Sequence, residues 1–153
     1  MNAPLYNKEI LRLAASIPFH ARIEHPQASV EKRSPVCGSR VTVDLDLDAE
    51  GRVAAVGMLV RACALGQASA ALMSANAEGK SAAELAEARD ELTAWLAGET
   101  EAPPAWPGLE IFAPALPHRA RHPSIRLAFE AAAEAAALAA RNEAAPVQAR
   151  GRL

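Results

Sequence analysis

Strict alternation of apolar and polar residues is clearest at residues 39–48. Val41, Val43, Leu45 and Leu47 interleave with Thr42, Asp44, Asp46 and Asp48. A period of two predicts a strand with one buried face and one acidic face in water. Asp48-Ala49-Glu50-Gly51 predicts a turn in which Gly51 takes a positive φ. Residues 53–61 then return as a second strand, apolar on both faces (Val53, Ala55, Val56, Met58, Leu59, Val60), which predicts a central position in the sheet. Upstream, residues 20–33 alternate partially and are interrupted by Pro26, so a broken edge strand is expected there.

Elsewhere the period is helical. Ile10, Leu11, Leu13 and Ala14 form a stripe opposite Lys8, Glu9 and Arg12, predicting a helix over 6–16 that Pro18 ends. Residues 64–77 are small or unbranched and predict a helix stopped by Gly79, with small side chains that permit close packing. Ser81 and Glu84 spell a capping box for a helix reaching about residue 97, closed by Gly98. The acidic, proline-rich stretch 99–108 is expected to be a loop. Residues 109–116 suggest one or two helical turns, and 117–121 a connection. Pro123 suits the first turn of a final alanine-rich helix ending near Asn142. The chain is expected to form a single domain over 1–142 with a disordered tail at 143–153.

Length and composition fit this picture. The 153 residues correspond to about one domain. The hydrophobic fraction of 51% suffices for a core, but much of it is alanine, which favours helix and buries little area per residue. The net charge of −2 gives no basic footprint of a nucleic-acid binder. No signal peptide or membrane helix is expected, and a cytoplasmic location is the default. In that compartment two cysteines point to free thiols, ligands or nucleophiles more than to a disulfide.

Those cysteines, Cys37 and Cys63, are the only two in the chain. One precedes the first hairpin strand and the other follows the second, so an antiparallel hairpin places both at one end of the sheet. Cys63 would open a helix, where free N–H groups favour negative charge. Gly38 beside Cys37 would let the backbone approach a bound ion. If the helix beginning at His122 crosses the same end, two thiolates and an imidazole would suit zinc or iron. Free cysteine is equally able to serve as a small buried hydrophobe, and His122 as part of a helix start. His20, His25 and His118 read as surface or loop residues.

The order of these motifs resembles the U-type iron–sulfur cluster scaffold family, comprising IscU, SufU and the N-terminal domain of NifU. CALGQASAALM at 63–73 is similar to the helix that opens on the family's second cysteine. LYNKEILRLAASIP is similar to its first helix, and PHRARHPSI at 117–125 to its late P-x-x-x-x-C-x-x-L segment. The resemblance covers roughly residues 5 to 135. It implies an α+β fold, a small three-stranded antiparallel sheet with helices packed around it. It also implies a site where a [2Fe–2S] cluster, iron or zinc is held, with Cys37 and Cys63 as ligands. A cysteine desulfurase and recipient apo-proteins are the implied partners, with no enzymatic role.

Three departures are visible. Ser39 stands where the family has an aspartate, a weaker, uncharged ligand at the same metal position. The third cysteine is missing; by proline spacing His122 takes its place, while a shift of one residue puts Pro123 there instead. The L-P-P-V-K chaperone motif reads LPHRA, so no dedicated Hsp70 partner is expected. Three readings follow: a scaffold or carrier with a Cys37/Cys63/His122 site, a zinc-bound or metal-free relative acting as sulfur acceptor or desulfurase regulator, and a thiol enzyme with Cys63 as nucleophile and His122 as base.

Overall fold

The alternating stretch becomes the middle strand of a three-stranded antiparallel sheet in the computed structural model, which describes residues 7–16, 21–35 and 38–144. The strands are β1 (Ala28–Arg33), β2 (Arg40–Leu47) and β3 (Val53–Arg61), in the order β1-β2-β3. Around them lie α1 (Lys8–Ala15), α2 (Ala64–Ala77), α3 (Ala82–Leu96) and α4 (His122–Ala144), with 3-10 helices at Leu109–Ala115 and Arg119–Arg121. The fold is α+β, as expected. Asp48 sets the hairpin turn: its Oδ1 accepts from the N–H groups of Glu50 at 2.9 Å and Arg52 at 3.0 Å, and Gly51 takes φ 78°.

The inner face of the sheet carries Val41, Val43, Leu45 and Leu47, all buried. α4 lies across it, with Ala128, Ala131, Ala132, Ala135, Ala136 and Ala139 fully buried. Alanines let the helix axis approach closely, so a core low in aromatic area still packs without large side chains. Lys32 Nζ lies 3.0 Å from Glu134 Oε2, and Asn142 Nδ2 donates to the Gln27 carbonyl at 2.7 Å. Both contacts run the C-terminal half of α4 along β1. Its N-terminus therefore points toward the end of the sheet where β2 begins and β3 ends. The capping box forms as written, with Glu84 N–H donating to Ser81 Oγ at 3.1 Å and Ser81 N–H to Glu84 Oε1 at 3.0 Å.

Two expectations are corrected. β2, not β3, is central; β3 is an edge strand with Ala54, Ala55 and Leu59 exposed. The polar face of β2 is not in water either, since Thr42 is buried and Asp44 is 0% exposed. Residues 21–23, expected as part of a broken strand, instead form a strap across this outer face. The strap sits so close that a Cβ on Gly57 would lie 2.7 Å from the Ala21 carbonyl oxygen and 2.8 Å from Ile23 N. Asp44 is opposite Gly57 in the ladder. It accepts from Arg22 Nε at 2.6 Å and Nη2 at 3.0 Å, from Ser29 Oγ at 2.7 Å and from Ile23 N–H at 3.0 Å. A buried carboxylate is tolerated because its lone pairs are filled by these donors.

α4 runs to Ala144, slightly beyond the expected stop; the rest of the expected tail lies outside the described residues. Among the described residues no helix is long and apolar enough to cross a membrane.

Candidate functional site

β3 ends at Arg61, and α2 begins three residues later. Between them Cys63 is the N-cap of α2, extended at φ −66° and ψ 172°. Its carbonyl accepts from Gln67 N–H at 2.9 Å, while its side chain makes no capping hydrogen bond. The thiol is free, half-buried and packed against the edge of the core. Gln67 Nε2 donates to the Ala62 carbonyl at 2.9 Å, tying the first turn of the helix to the segment that leaves the sheet. The first-turn N–H groups of α2 are thus gathered beside a free thiol that makes no capping hydrogen bond, which is the geometry that holds an anionic ligand.

Arg40 pairs with Arg61 across the ladder, so the chain entering β2 and Cys63 leaving β3 lie at the same end, as the hairpin predicted. Gly38 has φ 74°, a left-handed conformation that explains the glycine locally. Ser39 is buried, and its carbonyl accepts from Ser34 N–H at 2.8 Å. Cys37 and His20 lie outside the described residues. His25 and His118 are exposed.

His122 opens α4 but is not at the surface. It is 5% exposed, and its Nε2 lies 2.9 Å from the Ala115 carbonyl oxygen. The same oxygen accepts from His118 N–H at 2.9 Å. With Nε2 donating to a carbonyl, Nδ1 is the ring nitrogen left with a lone pair, the tautomer found in metal-ligating histidines held by an outer carbonyl. The ring also lines an open cleft of about 330 Å³ with Thr93, Leu96, Ala97, Arg119, Pro123 and Arg126. Among the described residues no group of three or more His, Cys, Asp or Glu is placed to hold a metal ion.

The junction that brings α2 and α4 together was not foreseen in detail. A Cβ on Gly66 would lie 2.7 Å from the Ala62 Cβ and 3.2 Å from the Ser124 carbonyl oxygen. Three residues on, Ser69 Oγ donates to the Ile125 carbonyl at 2.6 Å. One turn of α2 beyond Cys63 therefore touches the turn of α4 that follows His122. The small residues of α2 were the available signal; their partner was not legible.

No protein-family model matches the chain, and neither does any curated protein. Solved structures do. One is the N-terminal part of a nitrogen-fixing NifU-like protein from Brucella abortus, 36% identical, with a TM-score of 0.83 over 90% of this chain and 95% of that one. FiSufU, an iron–sulfur cluster assembly scaffold candidate for the SUF system from the thermophile Fervidobacterium islandicum AW-1, is 22% identical with a TM-score of 0.78 over 86% of this chain and 96% of that one, a likeness of fold. With more than a third of its residues identical to the Brucella protein over nearly the whole of both chains, this chain belongs to the NifU-like N-terminal domain family.

Proposed function

We propose that this chain is an iron–sulfur cluster assembly scaffold or carrier, with the cluster or its iron as cargo held at the end of the sheet where Cys63 caps α2. The observation that carries the reading is that thiol, free and without a capping hydrogen bond at a helix N-terminus, in a chain of the NifU-like family. Cys37 is the second thiolate, and His122 through Nδ1 the third ligand, with Ser39 as a weak oxygen donor. Zinc suits the same donors. A cysteine desulfurase supplies sulfur and apo-proteins receive the cargo, so the role is one of holding rather than of turnover.

Anaerobic reconstitution with ferrous iron and sulfide, followed by visible absorption and iron and sulfide analysis, tests this. The wild type should acquire the charge-transfer bands of a cluster, and Cys63→Ala and Cys37→Ala should lose them. A colourless wild type, or undiminished loading in Cys63→Ala, would overturn it.

A second reading rests on the same free, half-buried thiol at the head of α2. In it Cys63 is a sulfur acceptor. Its thiolate attacks the outer sulfur of a desulfurase persulfide, leaving the desulfurase thiolate behind and a persulfide on Cys63. A mass increase of one sulfur atom on Cys63 without metal uptake would establish it.

A further inference from the structure

The last rung of the sheet is built of arginines. β1 ends on Arg33, β2 begins on Arg40 and β3 ends on Arg61, and the register sets Arg33 opposite Arg40 and Arg40 opposite Arg61. Directly opposed residues share a face. The same alternation carries Asp44 and Gly57, so the three guanidinium groups stand on the outer face, away from α4. Arg33 and Arg61 are exposed and Arg40 is half-buried. Like charges directly opposed across strands destabilise a sheet, so folding does not account for the row. One carboxylate stands beside it, in the next rung with Thr42 and Leu59: Arg33 Nε is 2.8 Å from Glu31 Oε2. Arg61 has no ion pair among the described residues.

Next to this rung on the same face stands Leu59, 39% exposed, one of the two large hydrophobic side chains exposed among the described residues. Beyond it, over Gly57, the strap at 21–23 closes the face. The open part is therefore an apolar side chain bordered by arginines, the residue type most enriched with aromatics at the energetic centres of interfaces. We propose that this outer-face patch docks an acidic protein surface, with Leu59 receiving an apolar residue and Arg40 and Arg61 pairing with carboxylates around it. A nucleic acid is the poorer fit, because the exposed Leu59 beside the arginines finds no apolar counterpart on a phosphate backbone. Arg61 is two residues from Cys63, so a partner seated here is brought up beside the thiol. The patch is defined without any metal and stands whether or not Cys63 carries cargo.

The test is fluorescence anisotropy with the full chain and a labelled synthetic peptide, rich in glutamate around a central leucine, at low and at physiological ionic strength. A glutamine-for-glutamate peptide and a single-stranded oligonucleotide serve as competitors for the interpretation. The acidic peptide should bind, weaken with salt, and weaken by roughly tenfold in Arg61→Glu and further in Arg40→Glu/Arg61→Glu. Leu59→Ala should weaken it several-fold without changing the salt dependence. The glutamine peptide should not bind. Arg61→Gln removes the charge without reversing it, so its intermediate loss separates docking from misfolding, and circular dichroism confirms the fold of each variant. No binding to the wild type, equal binding by Arg61→Glu, or tighter binding of the oligonucleotide would overturn the proposal.

Discussion

Replacing Asp44 by alanine is the sharpest test of how the outer face is held. The carboxylate is fully buried and satisfies four donor atoms, on Arg22, Ser29 and Ile23. Removing one partner of a fully buried ion pair costs about 3–5 kcal/mol. Here the arginine side chain is 47% exposed and rehydrates when released, so its share falls well below that range, to about 1 kcal/mol. The stranded Ile23 N–H adds about 1–3 kcal/mol. The sum is on the order of 2–4 kcal/mol, or roughly 5–15 °C in Tm for a domain of this size. Asp44→Asn should lose nearly as much, because its amide presents hydrogens to the Arg22 guanidinium. Urea denaturation gives the energy, and hydrogen exchange at Ile23 reports the strap directly.

The same variant carries a pH signature. Burial pushes the Asp44 carboxyl upward, but hydrogen bonds from Arg22, Ser29 and Ile23 outweigh it and hold the group below its ordinary value. A depressed carboxylate contributes stability that is present above its unfolded pKa, near 4, and lost as pH falls through the lower folded value. Wild type should therefore lose stability below about pH 4 more steeply than Asp44→Ala. A loss under about 0.5 kcal/mol in Asp44→Ala, with Ile23 still protected, would refute the reasoning.

Three further outcomes are expected. Gly66→Val should overpack the contact with Ala62 and Ser124, lowering stability by about 1–3 kcal/mol and reducing metal or cluster uptake, measured by thermal unfolding and metal analysis. His122→Ala should cost about 0.5–1.5 kcal/mol in metal-free protein by removing the bond to the Ala115 carbonyl, which keeps its bond from His118 N–H, checked by denaturant unfolding in chelator. Ser81→Ala should cost about 1 kcal/mol through loss of the α3 cap, seen as a shift in the urea midpoint at constant slope.

The sequence by itself determined every element whose signal is local. Alternation from Val41 to Leu47 made β2, Gly51 closed the hairpin, Ser81 and Glu84 capped α3, and Pro123 placed the start of α4. It also placed Cys63 at a strand-to-helix edge, because the period changes from two to 3.6 at that point. Tertiary structure alone decided what covers each face. A period of two states which residues share a side, not whether water or a strap lies against it, so the burial of Asp44 became visible only with Arg22 and Ile23 in place. Strand order was misjudged for the same reason: apolar content on both faces of β3 reports packing partners, whereas β2 is central because both ladders form on it. The histidine at the head of α4 read as a ligand candidate or part of a helix start, and only the fold set the Ala115 carbonyl, seven residues earlier, against its ring. The arginine rung needed the register, since residues 33, 40 and 61 are unrelated in the sequence and become neighbours only when three strands align.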